Sequence, residues 1–327
     1  MPLPGDNEYS PGFGRGSFGH ASVLGTTLNH WAPGAYAEPI MGCPAAGQHV
    51  WAAVQTENTR ALPIRHFMNE AAVRFLVYDA PIGEDFEFRP ETGYGGLCEV
   101  GFIDDEWGIY QLGRPPRFRF TTSDRAGRWV ERGVLDLEFA HDQEALQFAT
   151  PDADEPLVYL ARKFRITGGT YRGEPVEDGY VFHEQVYVRS GHSWALTAYK
   201  RELQGVWLAF VTRYEDGAVD WGQICYGTRG WSFAIVISSG SEPILVSRPE
   251  GDVEFDADGN PVRARFLLGD SGWWTWRPHA HGGGRVPLPG PPEHTPRWAE
   301  GQVTKRDETR RVEFSHTWWE SYQSHLT

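Results

Sequence analysis

The stretch DVEFDADGNPVRARFLLGD, residues 252–270, decides the fold. Val253 and Phe255 lead into Asp258-Gly259-Asn260, and Val262, Ala264, Phe266 and Leu268 follow at every second position. A period of two puts these side chains on one face of a strand, and Asp-Gly suits the tight turn between two strands. The segment reads as a β-hairpin with one face turned to a core.

The same pattern recurs outward from this hairpin. RFRFTT (117–122) sets Phe118 and Phe120 against Arg117 and Arg119. WVERGVLDLEFAHD (129–142) sets Leu135, Leu137 and Phe139 against Asp136 and Glu138, the mark of a half-buried antiparallel strand. TRGWSFAIVISSG (228–240) alternates Trp231, Phe233, Ile235 and Ile237. AAVRFLVYDA (71–80), DFEFRP (85–90), LCEVGFIDDEWGIYQL (97–112), LVYLARKFRITGGTYRG (157–173) and GYVFHEQVYVRSG (179–191) are further strand candidates. Amphipathic helix patterns are scarce, and Gly, Pro and Asp punctuate the strands. The chain is therefore expected to be all-β, a sandwich or barrel with little helix. Residues 1–60, rich in Gly, Pro and Ala, are expected to form an extended arm and loops.

Composition narrows the function classes. The 327 residues include 14 Trp, 13 Tyr and 18 Phe, a surplus that suits strands and apolar pockets. Lys and Arg total 30 against 44 Asp and Glu, a net charge of −14. That balance opposes binding to nucleic acid phosphates or anionic lipid. Cys43, Cys98 and Cys225 are odd in number and widely spaced, so neither a disulfide framework nor a thiolate metal site is expected. No stretch reads as a signal peptide or a membrane span. The expectation is a cytoplasmic protein with no nucleic-acid partner and no membrane insertion; nothing sets an oligomeric state.

GHSWALTAYKRELQGVWLAFVTRYEDG, residues 191–217, concentrates aromatic side chains around a histidine. His192 and Trp194 are two apart and share one face of a strand. From Glu184 onward come His192-Ser193-Trp194, Gly205-Val206-Trp207, Glu215-Asp216-Gly217 and Gly227-Thr228-Arg229-Gly230-Trp231, then Asp258-Gly259-Asn260-Pro261. This series, over residues 160–275, resembles the second domain of the lipocalin-like proteins related to carotenoid 1,2-hydratase. The resemblance implies two consecutive lipocalin-like antiparallel β-barrels or sandwiches. Residues 61–175 would form the first and 176–327 the second. It also implies an apolar cavity and acid–base chemistry on isoprenoid-like molecules. The acidic residue that precedes the family's histidine is Gly191 here, which weakens a direct transfer of hydratase chemistry.

The candidate site follows from these residues. His192 is the expected proton carrier, with Glu184 or Asp79 as its acidic partner. Glu184 is a candidate buried acid, whereas its neighbour His183 points to the opposite face together with Gln185. Trp194, Trp207, Tyr199, Tyr226, Arg229 and Trp231 are expected to line the pocket. Asp104-Asp105-Glu106-Trp107 is expected to be a loop, and His279-Ala280-His281 matches a metal pair in spacing alone. No nucleotide-binding, serine-hydrolase or zinc-peptidase motif is present, and neither a cofactor nor a metal is expected. The expected activity is a cofactor-independent hydratase, dehydratase, isomerase or cyclase acting on a small hydrophobic molecule. The rivals are a non-catalytic carrier of a hydrophobic ligand and a glycan-active β-sandwich enzyme.

Overall fold

The structure, a computed structural model, describes residues 47–68, 71–81, 96–103, 106–111, 117–123, 125–141, 145–149, 157–188, 205–227, 232–279 and 297–321, and the short strands at 12–16 and 87–88. Apart from one three-residue 3-10 turn at Gly269–Ser271, every regular element among them is a strand. No described helix is long and apolar enough to cross a membrane. The chain divides into two units, Gly14–Ala149 with Ala153–Trp194, and Ala195–Thr327 with short pieces of the N-terminal region and residues 150–152.

The first unit begins with β1 (Gly12–Gly16), β2 (Gly47–Gln55), β3 (Thr59–Met68), β4 (Ala71–Pro81), β5 (Glu87–Phe88), β6 (Gly96–Ile103) and β7 (Glu106–Gln111). It continues with β8 (Phe118–Thr122), β9 (Ala126–Glu131), β10 (Leu135–His141), β11 (Ala145–Ala149), β12 (Leu157–Tyr171), β13 (Glu174–Pro175) and β14 (Asp178–Val188). Ten of these strands follow one another in the order β12-β10-β9-β8-β7-β6-β4-β3-β2-β14, and a β12–β14 pairing closes the ring. Every pairing in it is antiparallel. The result is a lipocalin-like barrel.

Strand β12 can close the ring because it is 15 residues long. Leu157–Arg165 pairs with β14, while Phe164–Tyr171 pairs with β10. One end of the barrel is filled by the period-two side chains: Val50, Ala52 and Val54 from β2, Phe118 and Phe120 from β8, Leu135, Leu137 and Phe139 from β10. The expected boundary at residue 175 falls within the turn between β12 and β14, and the pairing of those strands makes them one hairpin. Residues 47–55, expected within the arm, form β2, which pairs with both β14 and β3. Its small Ala52 and Ala53 are buried on opposite faces, which is why the segment looks like loop in sequence. Of the DDEW segment, Glu106 and Trp107 open β7 and Trp107 is buried, while Asp104 and Asp105 lie outside the described residues.

The second unit has β15 (Val206–Tyr214), β16 (Val219–Tyr226), β17 (Phe233–Ser238), β18 (Ile244–Val246), β19 (Glu250–Phe255) and β20 (Pro261–Leu267). β21 (Trp273–Pro278), β22 (Arg297–Ala299), β23 (Gly301–Lys305) and β24 (Val312–Ser321) complete it. Six strands form one sheet, β18-β17-β16-β15-β24-β22, and four form another, β19-β20-β21-β23. A shared core holds them together, with Leu208, Phe210, Ile224 and Trp319 from the first sheet and Phe266, Trp274 and Trp276 from the second. The 252–270 hairpin forms as expected, with Glu250–Phe255 antiparallel to Pro261–Leu267 and Ala264 and Phe266 fully buried. The Asp256 carboxylate accepts from the backbone N–H groups of Asp258 and Asn260, which fixes the turn.

Candidate functional site

Along the inner face of β14, Val181 belongs to the apolar core, and His183 and Gln185 come next at period two. On β12 the same step runs from Phe164 to Arg162. Strand pairing puts Arg162 opposite His183, His183 opposite Val50 and Val50 opposite Arg65. Three polar side chains thus stand in one row across four strands, at the edge of the apolar packing. Arg162 is 2% exposed, and His183 and Arg65 are fully buried.

Each is held. The Arg65 guanidinium donates through Nε to Glu131 Oε2 at 2.7 Å and through Nη2 to Oε1 at 2.6 Å, a two-point pair with both partners buried. It also lies over the Trp129 ring, 5.7 Å from its centre. Arg162 Nη2 donates to Gln185 Oε1 at 3.2 Å. The His183 ring packs against Trp107 and Phe120, with centres 4.9 and 5.1 Å apart. Burial drives the His183 pKa well below that of an ordinary histidine, and the positive charge of Arg162 drives it further. His183 is therefore held as a neutral imidazole beside a fixed cation.

Glu184 is 2% exposed. It sits on the other face of β14 from His183. Trp51 Nε1 donates to its Oε1 at 3.0 Å, and His49 Nδ1 lies 3.5 Å from its Oε2. Glu184 and His183 thus cannot serve one ligand inside the barrel. Asp79 lies in β4, in register with Ala61 and Glu87. His192, Trp194, Tyr199, Arg229 and Trp231 fall outside the described residues. Trp207 and Tyr226 belong to the second unit. Trp207 is 5% exposed on the face of β15 away from Leu208 and Phe210. The Tyr226 hydroxyl donates to the Gly251 carbonyl at 2.5 Å and its ring meets Phe266, so it ties β16 to the four-stranded sheet. Burial, and after it Asp252, pushes its phenol up.

The second unit carries a cluster of which the sequence singled out His279 alone. The chain leaves the six-stranded sheet with β22 and enters the four-stranded sheet with β23, and Glu300 stands at that crossing. Gly301 allows it: a Cβ there would lie 2.2 Å from the Arg277 carbonyl oxygen. Glu300 is buried and forms an ion pair with His316 Nδ1 from β24. Its other oxygen is 3.3 Å from His279 Nε2, just past the end of β21. Burial alone would raise the Glu300 carboxyl, but the charges and hydrogen bonds of His279 and His316 outweigh it and hold the group at about 2. His279 also lines a cavity of about 530 Å³ together with Arg277, Thr304, Lys305, Arg306 and Arg310.

No protein-family model and no curated protein sequence matches this chain. Among solved structures it is similar to kievitone hydratase from Nectria haematococca, with 8% identity, a TM-score of 0.46, and coverage of 94% of this chain and 95% of that one. It is also similar to CghA. The complex of CghA with Sch210972 has 11% identity, a TM-score of 0.44, and coverage of 96% and 98%. CghA on its own has 12% identity, a TM-score of 0.39, and coverage of 98% and 99%.

Proposed function

We propose that this chain is an acid–base enzyme of the lyase or isomerase type, without a redox or group-transfer cofactor, that acts on a small and largely apolar molecule in the first barrel. Dehydration, isomerisation and cyclisation that begin with loss of a proton beside a carbonyl can use what the site offers: a neutral imidazole in an apolar enclosure and a cation to balance developing negative charge. The supporting observation is the buried, neutral His183 packed between Trp107 and Phe120, with Arg162 directly opposite on the next strand. His183 takes the proton and Arg162 faces the oxygen on which charge builds. His192 and Asp79 are proposed as further proton carriers, with Trp194 as pocket wall. The isoprenoid-like character of the substrate is proposed from the sequence resemblance.

The test is a conversion screen. Purified protein is incubated with terpenoid alcohols, polyenes and enones in D2O, and products are read by mass spectrometry. Conversion or deuterium incorporation is expected for at least one compound. His183→Gln should lower that turnover by about 100-fold or more, while His192→Ala and Asp79→Asn measure the other proposed carriers. Full turnover in His183→Gln would refute its role as base. Binding of a panel member in native mass spectrometry with no conversion of any would replace the enzyme reading with a carrier.

A further inference from the structure

We propose that His279, Glu300 and His316 form a binding site for a divalent transition-metal ion of the zinc class in the second unit. This inference is independent of the chemistry assigned to the first barrel. It rests first on the donor set. One ligand atom from each residue can be chosen so that all three lie within 4.8 Å of one another. Two imidazole nitrogens and one carboxylate oxygen suit zinc and its neighbours rather than calcium or magnesium, which take oxygen ligands.

The spacing supports it. Zinc–nitrogen and zinc–oxygen bonds of about 2.1 Å place tetrahedral ligand atoms roughly 3.4 Å apart. His279 Nε2 and Glu300 Oε2 are 3.3 Å apart. His316 Nδ1 and Glu300 Oε1 are closer than this and would have to move apart to admit the ion. His279 Nε2 is 3.0 Å from the Ser315 carbonyl oxygen, a contact it would exchange for the metal.

Charge is the second support. The Glu300 carboxylate is almost wholly buried, and its ion pairs among the described residues are to these two histidines. A buried anion needs a positive partner at close range. A divalent cation provides one while leaving both imidazoles neutral. The third support is access. Glu300 and His316 are sealed, but His279 lines the cavity, so an ion bound to it sits at the cavity's inner edge with a way in. Arg277, Lys305 and Arg306 on the same wall would favour an anionic ligand at any remaining coordination position.

The full chain is treated with a chelator, dialysed, and titrated with Zn2+ by calorimetry and with Co2+ by visible absorption. One equivalent per chain is expected, with d–d bands of a nitrogen- and oxygen-coordinated Co2+ ion. Glu300→Gln, His316→Gln and His279→Ala should each weaken binding by at least about tenfold. The half-buried His279 is the substitution least disruptive to folding, and circular dichroism checks each variant. Failure of the wild-type chain to bind either ion would overturn the site and leave a metal-free hydrogen-bonded relay. Unchanged affinity in a folded His279→Ala variant would overturn it as well.

Discussion

Lowering the pH should destabilise the first unit through His183. Its native pKa is depressed by burial and by Arg162, whereas in the unfolded chain it returns to about 6.5. Below that value the unfolded chain takes up a proton that the native state refuses. The stabilisation from keeping His183 neutral is thus complete above about pH 6.5 and is lost as the pH falls below it. One proton corresponds to about 1.4 kcal/mol per pH unit well below the unfolded pKa, which makes the loss between pH 7.5 and 5.5 at most about 1.4 kcal/mol. The partner for the comparison is His183→Gln, similar in size and uncharged at both values. Urea unfolding of each protein at each pH, followed by tryptophan fluorescence, gives four free energies. Their double difference removes every other titrating group, and each resolved transition is fitted separately because two units need not unfold together. Wild type should lose up to about 1.4 kcal/mol more than the variant. A double difference near zero would mean that native His183 titrates as it does in the unfolded chain, and the neutral-base argument would collapse.

Two further outcomes follow from the packing. Arg65→Met should cost about 3–5 kcal/mol by stranding the buried Glu131 carboxylate, and adding Glu131→Leu should restore much of that loss; equal costs in the single and double variants would show that the pair is not the reason. Gly222→Ala would place a Cβ 2.2 Å from the Ile235 carbonyl oxygen and 2.9 Å from the Val236 Cα on the adjacent strand, where only backbone can yield. The second unit should lose about 1–3 kcal/mol or more, visible as a lower melting temperature, and an unchanged melting temperature would contradict the observed approach of β16 and β17.

What was legible in the sequence depended on solvent. Strand β10 touches solvent on one face, so Leu135, Leu137 and Phe139 alternate visibly with Asp136 and Glu138. Strand β15 is buried along its whole length, so both faces are apolar and the alternation vanishes. The GQHVWAAVQ strand failed for a related reason: with Val50, Trp51, Ala52, Ala53 and Val54 all buried, it has no polar face to mark its period.

The chemistry was harder to see, because its geometry is made by pairing between distant segments. Glu184 could be read as a buried acid from its place in GYVFHEQVYV, but the indole that holds it is 133 residues away. The sequence put His183 and Gln185 on the face opposite Glu184 and favoured Glu184; only the register with Arg162 shows that His183 is the one set across from a cation. His279, Glu300 and His316 share no motif at all, and a chain crossing between two sheets brings them together. Spacing along the chain pointed to His281 as the companion of His279. Strand pairing, which sets Pro278 beside Gly301 and Ala299 beside Trp319, instead delivers Glu300 and His316, and it is this register that makes three unremarkable residues a donor set.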